Sequence, residues 1–195
     1  MIKNKNVLKI IHFFPKKLKE MSGARIILEF TRVQPGLTLN LPQDVAFQSE
    51  TIRTQSEDMA GISAGDKTVV EKDVVIPMET EEPAQYNAVV NIFTYIKQQL
   101  QKDPKADPQE RRDPDKLEEW EVEFFKPMTQ GDVFNFLQMA DFLHVPRALD
   151  TAAAIIAKEV PGKSPEALRR IFAIPAEGEP GMTVEDALAI KDKDE

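Results

Sequence analysis

Gly162-Lys-Ser-Pro-Glu-Ala-Leu-Arg-Arg-Ile-Phe-Ala-Ile174 closes a longer run, residues 120–174, whose apolar spacing is the most regular in the chain. The run reads as three successive helices. In the first, over 131–143, Val133, Phe134, Phe136, Leu137, Ala140 and Leu143 recur at spacings of three and four and form a broad apolar face. Pro146 suits the first turn of a second helix, where a missing N–H costs nothing, and Leu149, Ala152, Ala153, Ile156 and Val160 continue the face. Gly162 ends it. Ser164 then reads as an N-cap with Pro165 at the first helical position, although Ala167, three residues on, leaves half of a capping box unfilled. Beyond that cap Leu168, Ile171 and Phe172 project to one side, and Arg169 and Arg170 lie towards the helix end, where cations are favoured.

Working back from this run, Tyr86, Val89, Val90, Ile92, Phe93, Ile96 and Leu100 fall at helical spacings after Pro83 and predict a long central packing helix. Between the two helical regions, residues 103–119 hold Pro104, Pro108 and Pro114 among charges of both signs, the composition of a flexible, solvated loop. Further back, Arg25-Ile-Ile-Leu-Glu-Phe-Thr-Arg32 and Leu37-Thr-Leu-Asn-Leu41 are short strand-like runs joined by Gln34-Pro-Gly36, which signals a hairpin. Alternation puts Leu37, Leu39 and Leu41 on one face. Residues 46–59 read as a helix with Phe47, Ile52 and Met59 as core candidates, 60–72 as a polar loop, and Val74-Val-Ile-Pro77 as a further strand. Residues 1–20 carry Lys3, Lys5, Lys9, Lys16, Lys17 and Lys19 against Glu20, and Met21-Ser-Gly-Ala24 leads directly into the first strand. The segment 1–22 is therefore read as a disordered extension or a misassigned start; a basic interfacial helix is the competing reading.

A chain of 195 residues, 42% hydrophobic, can bury one moderate core with a helical extension. A net charge of −8 and a pI near 5.0 speak against non-specific nucleic-acid binding, which needs many cations facing phosphate. With no cysteine there is neither a disulfide framework nor a thiolate metal cluster, and no apolar run approaches the ~20 residues that span a bilayer. Catalytic constellations are missing as well. His144 stands beside Val145-Pro146 at a helix junction and reads as a helix-end cation or a partly buried structural residue. Gly162-Lys-Ser lacks the upstream glycine and leading strand of a phosphate loop. Neither a metal nor a cofactor is expected. The C-terminal apolar stripes either close on the chain's own core or leave a patch for a partner. Ile156, Val160, Leu168, Ile171, Phe172 and Ile174 are more than three short helices can cover among themselves.

Four segments, Trp120-Glu-Val-Glu-Phe-Phe-Lys126, Ala140-Asp-Phe-Leu-His-Val145, Ala148-Leu-Asp150 and the opening Gly162–Ile174 run, resemble the Skp-type adaptors that link F-box proteins to cullin in SCF ubiquitin ligases. The resemblance runs from about Arg25 onward and is strong after Trp120. It implies an α+β fold: a BTB/POZ domain over 23–143, with a small sheet flanked by helices, followed by a C-terminal helical extension over 144–195. It also implies a non-catalytic adaptor of the nucleus and cytoplasm, acting in ubiquitin-dependent degradation, with no nucleic acid or membrane partner. By the same resemblance Ile156, Val160, Lys163, Pro165, Leu168, Arg169, Phe172 and Ile174 would face the F-box, and Asp141 and Phe142 would face the cullin. Two features depart from the family. Asp141-Phe142 stands where Asn-Tyr is common, and the sequence runs from Val184 through Ile190 to Lys-Asp-Lys-Asp-Glu195 without the usual Trp-bearing acidic tail. These departures keep open an alternative, a BTB self-association or scaffold module that has lost adaptor activity. A homodimer in the absence of an F-box partner is expected on either reading.

Overall fold

A computed structural model describes residues 24–60, 72–105, 107, 109–111, 113 and 116–172. The expectations for the 1–22 extension, for most of the 60–72 loop, for Ile174 and for the C-terminal run fall outside these residues. Among the described residues the chain is α+β, with one three-stranded sheet and seven helices. The elements are β1 (Arg25–Glu29), β2 (Thr38–Pro42), α1 (Gln43–Ala46), α2 (Glu50–Ala60), β3 (Val74–Pro77), α3 (Pro83–Lys102), α4 (Glu119–Phe125), α5 (Gln130–Phe142), α6 (Pro146–Lys158) and α7 (Pro165–Ile171).

The sheet has the order β2-β1-β3, with β1 antiparallel to β2 and parallel to β3. The register sets Ile26 beside Leu41 and Val74, and Leu28 beside Leu39 and Ile76, so six buried aliphatics line one face. That is the alternation read for the second strand, extended across the sheet. Strand β1 stops earlier than the sequence suggests, because the Phe30 carbonyl accepts from the Val33 and Gln34 amides and turns the chain. Gly36, at φ 77°, completes the hairpin in a conformation that favours glycine.

Helix α3 is the central packing element. Ala88, Val89, Val90, Ile92, Phe93, Tyr95, Ile96 and Gln99 are all buried, which leaves little of its circumference to solvent. Pro83 opens it where no N–H is required. Helix α5 packs on α3 and α6 packs on α5, so the core runs continuously from the sheet to Ala152 and Ile156. The helix expected over 46–59 is instead two, α1 and α2, separated by a turn at Phe47–Ser49. Ser49 Oγ accepts from the Ile52 N–H at 3.2 Å and so caps the second helix. Met59 is not core: it is 59% exposed, because the buried positions of α2 end at Ile52 and Ser56.

Candidate functional site

Two regions carry the residues singled out by sequence, and they lie on different elements. The first is the C-terminal end of α5. Thr129 starts this helix by accepting from the Asp132 N–H at 3.2 Å while the Asp132 carboxylate accepts from the Thr129 N–H at 3.0 Å, a reciprocal cap two residues before the expected start. Thirteen residues later the helix delivers Asp141 and Phe142 to the surface, with Phe142 51% exposed and Leu143 fully buried beside it. A large aromatic left this open is unusual for a folded chain and suits an interface anchor.

The corner after α5 is tightly organised. His144 has a φ of 54°, the left-handed conformation that glycine normally supplies after a helix. Its N–H donates to the Asp141 carbonyl at 3.0 Å, and the Val145 N–H donates to the Ala140 carbonyl at 2.9 Å. This is the paired Schellman pattern, with Val145 and Ala140 both buried as its apolar contact. His144 is exposed, so its role is conformational rather than that of a packed side chain.

The second region is the segment from the end of α6 through α7. Val160 and Leu168 are half-buried; Lys163, Pro165 and Arg169 are exposed; Phe172 is 40% exposed. Gly162, at φ 78°, turns the chain, and Ser164 accepts from the Ala167 N–H at 3.2 Å, the cap read from the sequence. Phe172 meets Phe134 edge to face at 6.1 Å, which rests the end of α7 on α5. Ile156 is placed differently from its neighbours. At 8% exposure it belongs to the chain's own core, so it supports this region from below.

Helices α3, α4 and α6 meet at a buried polar junction that sequence reading missed. Tyr95 donates from its hydroxyl to Glu121 Oε1 at 2.8 Å and sits 3.0 Å from Thr151 Oγ1, joining α3, α4 and α6. Glu121 is fully buried, and its second oxygen accepts from the Glu118 N–H at 2.8 Å. Burial pushes the Tyr95 hydroxyl far above the usual tyrosine range, and the neighbouring Glu121 adds to the rise. Trp120, Phe124, Phe125 and Phe136 surround the Tyr95 ring at centroid distances of 5.2, 5.6, 6.4 and 6.1 Å. Neither a metal-binding cluster nor a helix long and apolar enough to cross a membrane occurs among the described residues.

With this geometry in view, comparison with known proteins points one way. The chain is distantly similar to Skp1-like proteins. It is 29% identical to a Skp1-related protein of Caenorhabditis elegans over 134 residues, 69% of this chain and 73% of the relative. Against SKP1-like protein 14 of Arabidopsis thaliana the identity is 29% over 63% of this chain and 74% of the relative. Against SKP1-like protein 1A of the same plant it is 26% over 79% and 87%. No protein-family model matches the chain. The similarity agrees with the resemblance carried by the 120–174 run, and the α+β architecture is compatible with a fold of that kind.

Proposed function

We propose that this chain is a non-catalytic adaptor of the Skp type, a BTB/POZ domain with a helical extension, bridging F-box substrate receptors to a cullin for ubiquitin-dependent degradation. The observation that carries the reading is the presence of two exposed faces on separate elements, Asp141-Phe142 closing α5 and residues 160–172 around α7. A bridge needs two faces that do not compete, and α6 joins these two: the first ends on the buried Leu143, and the second meets α5 through the Phe172–Phe134 ring contact. On the F-box side, Val160, Leu168 and Phe172 supply the apolar centre, Pro165 and Ile174 extend it, and Lys163 and Arg169 form a polar rim. Ile156 underlies this face. On the other side, Phe142 is the aromatic anchor for cullin, and Asp141 replaces a neutral amide with a charge, so cullin selectivity shifts relative to typical members. The adaptor acts in the cytoplasm and nucleus, and it self-associates when its F-box partner is absent.

The test is co-precipitation with an F-box protein and a cullin, comparing the unaltered chain with Asp141→Lys/Phe142→Lys. The expected result is loss of cullin with the F-box protein retained and circular dichroism unchanged. Failure of the unaltered chain to bind any F-box protein, with a dimer persisting by light scattering when one is added, would instead favour a scaffold that has lost adaptor activity.

A further inference from the structure

The last turn of any α-helix leaves carbonyls without partners inside the helix. At the end of α5 the paired turn takes up those of Ala140 and Asp141. The next three in sequence are each met by a side chain from elsewhere. Phe142 O accepts from Thr51 Oγ1 at 3.0 Å, Leu143 O from Ser49 Oγ at 2.6 Å, and His144 O from Gln109 Nε2 at 3.0 Å. Ser49 and Thr51 belong to the body of the fold, and Ser49 is itself buried as the cap of α2. Gln109 comes from the charged connection between α3 and α4. Its second amide hydrogen reaches Gln48 O at 3.4 Å, so one side chain spans the turn after α1 and the corner after α5. Two residues on, Arg111 pairs with Asp150 of α6 at 3.0 Å and holds the same connection against the helix that follows the corner.

We infer that Gln109 is a positioning residue for the Asp141-Phe142 face: by bridging Gln48 and His144 it fixes the pose in which α5 presents that pair to its partner protein. The inference rests on the adaptor reading above for the identity of the partner. Two features make the corner responsive to this contact. His144 holds a backbone conformation that non-glycine residues rarely adopt, so it persists only where its surroundings over-determine it. Phe142 is half exposed and has little packing of its own to fix its direction. A side chain that never touches the partner thereby sets how well the partner is met.

The experiment uses the full chain with Gln109→Ala and Gln109→Lys, the lysine restoring hydrogen-bond donors at comparable reach. Amide hydrogen exchange across residues 142–145, melting temperature, and affinities for cullin and an F-box protein are measured together. For Gln109→Ala the expected result is exchange about tenfold faster at His144 and Val145, as local opening allows, with the melting temperature unchanged. Cullin affinity falls about fivefold, F-box affinity holds, and Gln109→Lys recovers both exchange and cullin affinity. In a Phe142→Ala background, Gln109→Ala adds no further loss, because it acts through that side chain. Unchanged exchange, or faster exchange with cullin affinity intact, overturns the inference. If the unaltered chain binds no cullin, the adaptor reading fails by itself, and the exchange comparison still decides whether Gln109 holds the corner.

Discussion

Replacing Tyr95 by Phe removes one hydroxyl from the centre of the molecule and leaves the ring, with its four aromatic neighbours, in place. That hydroxyl donates to Glu121 Oε1 at 2.8 Å, and the carboxyl it serves is fully buried. A hydrogen bond to a carboxylate in such surroundings contributes about 1.5–3 kcal/mol. The contact with Thr151 adds little, because Thr151 Oγ1 also donates to the Arg147 carbonyl at 2.8 Å and keeps that bond in the variant. The expected destabilisation is therefore about 2 kcal/mol, which at a slope of about 2 kcal/mol per molar urea lowers the midpoint by about 1 M. Urea unfolding followed by circular dichroism at neutral pH measures it. Glu121→Gln is the companion variant. Its amide oxygen can still accept from Tyr95, but its NH2 group would face the Glu118 N–H that now donates at 2.8 Å, donor against donor, so its loss is at least as large. A Tyr95→Phe midpoint within about 0.25 M of the parent, at equal slope, would refute the claim that this buried bond holds the three helices together.

The two tyrosines of α3, Tyr95 in this junction and Tyr86 against Phe30, give a pH dependence. Burial raises the hydroxyl pKa of both Tyr95 and Tyr86, so above pH ~10 the unfolded chain releases protons that the native state retains. Stability is complete below that pH and declines as pH rises through it; thermal melts should fall between pH 9 and 11, and less steeply in Tyr95→Phe. His144→Gly relieves the left-handed backbone and should raise stability by about 0.5–1 kcal/mol in urea melts, the strain removed exceeding the added entropy of the unfolded chain. Ile156→Asp places a charge in the core and should cost several kcal/mol, whereas Phe172→Ala, 40% exposed, should cost about 1 kcal/mol of stability while sharply weakening F-box binding. Equal loss of stability from the two would mean that Phe172 is ordinary core.

Where hydrophobic period and turn chemistry act locally, the sequence was a sufficient guide. Leu39 and Leu41 alternate inward, Pro83 and Pro146 open helices, and Ser164 caps the last one. What escaped were features made by partners distant in the chain. Glu121 reads as surface charge because the tyrosine that satisfies it lies 26 positions away. Gln109 sits in a proline- and charge-rich stretch that composition alone marks as solvated, yet its amide is 35 positions from the carbonyl it serves. The cap at Ser49, with Glu50 following it, is a local signal, but a single helix over 46–59 runs across it and hides it. In the candidate site, motif similarity points to 141–142 and to positions from Ile156 to Ile174. Periodicity could not separate Ile156 from Val160, because a 3.6-residue repeat says which residues share a face and not what covers it.

Trp120, the only tryptophan in the sequence, lies half-buried at the joint of α3, α4 and α6, its indole 5.2 Å from the Tyr95 ring and its N–H donating to Glu118 at 2.9 Å. The chain therefore carries a single indole, which can be excited apart from its two tyrosines and is stationed at that joint, outside the sheet. Its emission reports the integrity of that joint, while circular dichroism reports the whole backbone. If the tryptophan signal changes at lower denaturant than the circular dichroism, that joint has opened before the rest of the backbone, and no extrinsic label is needed to see it.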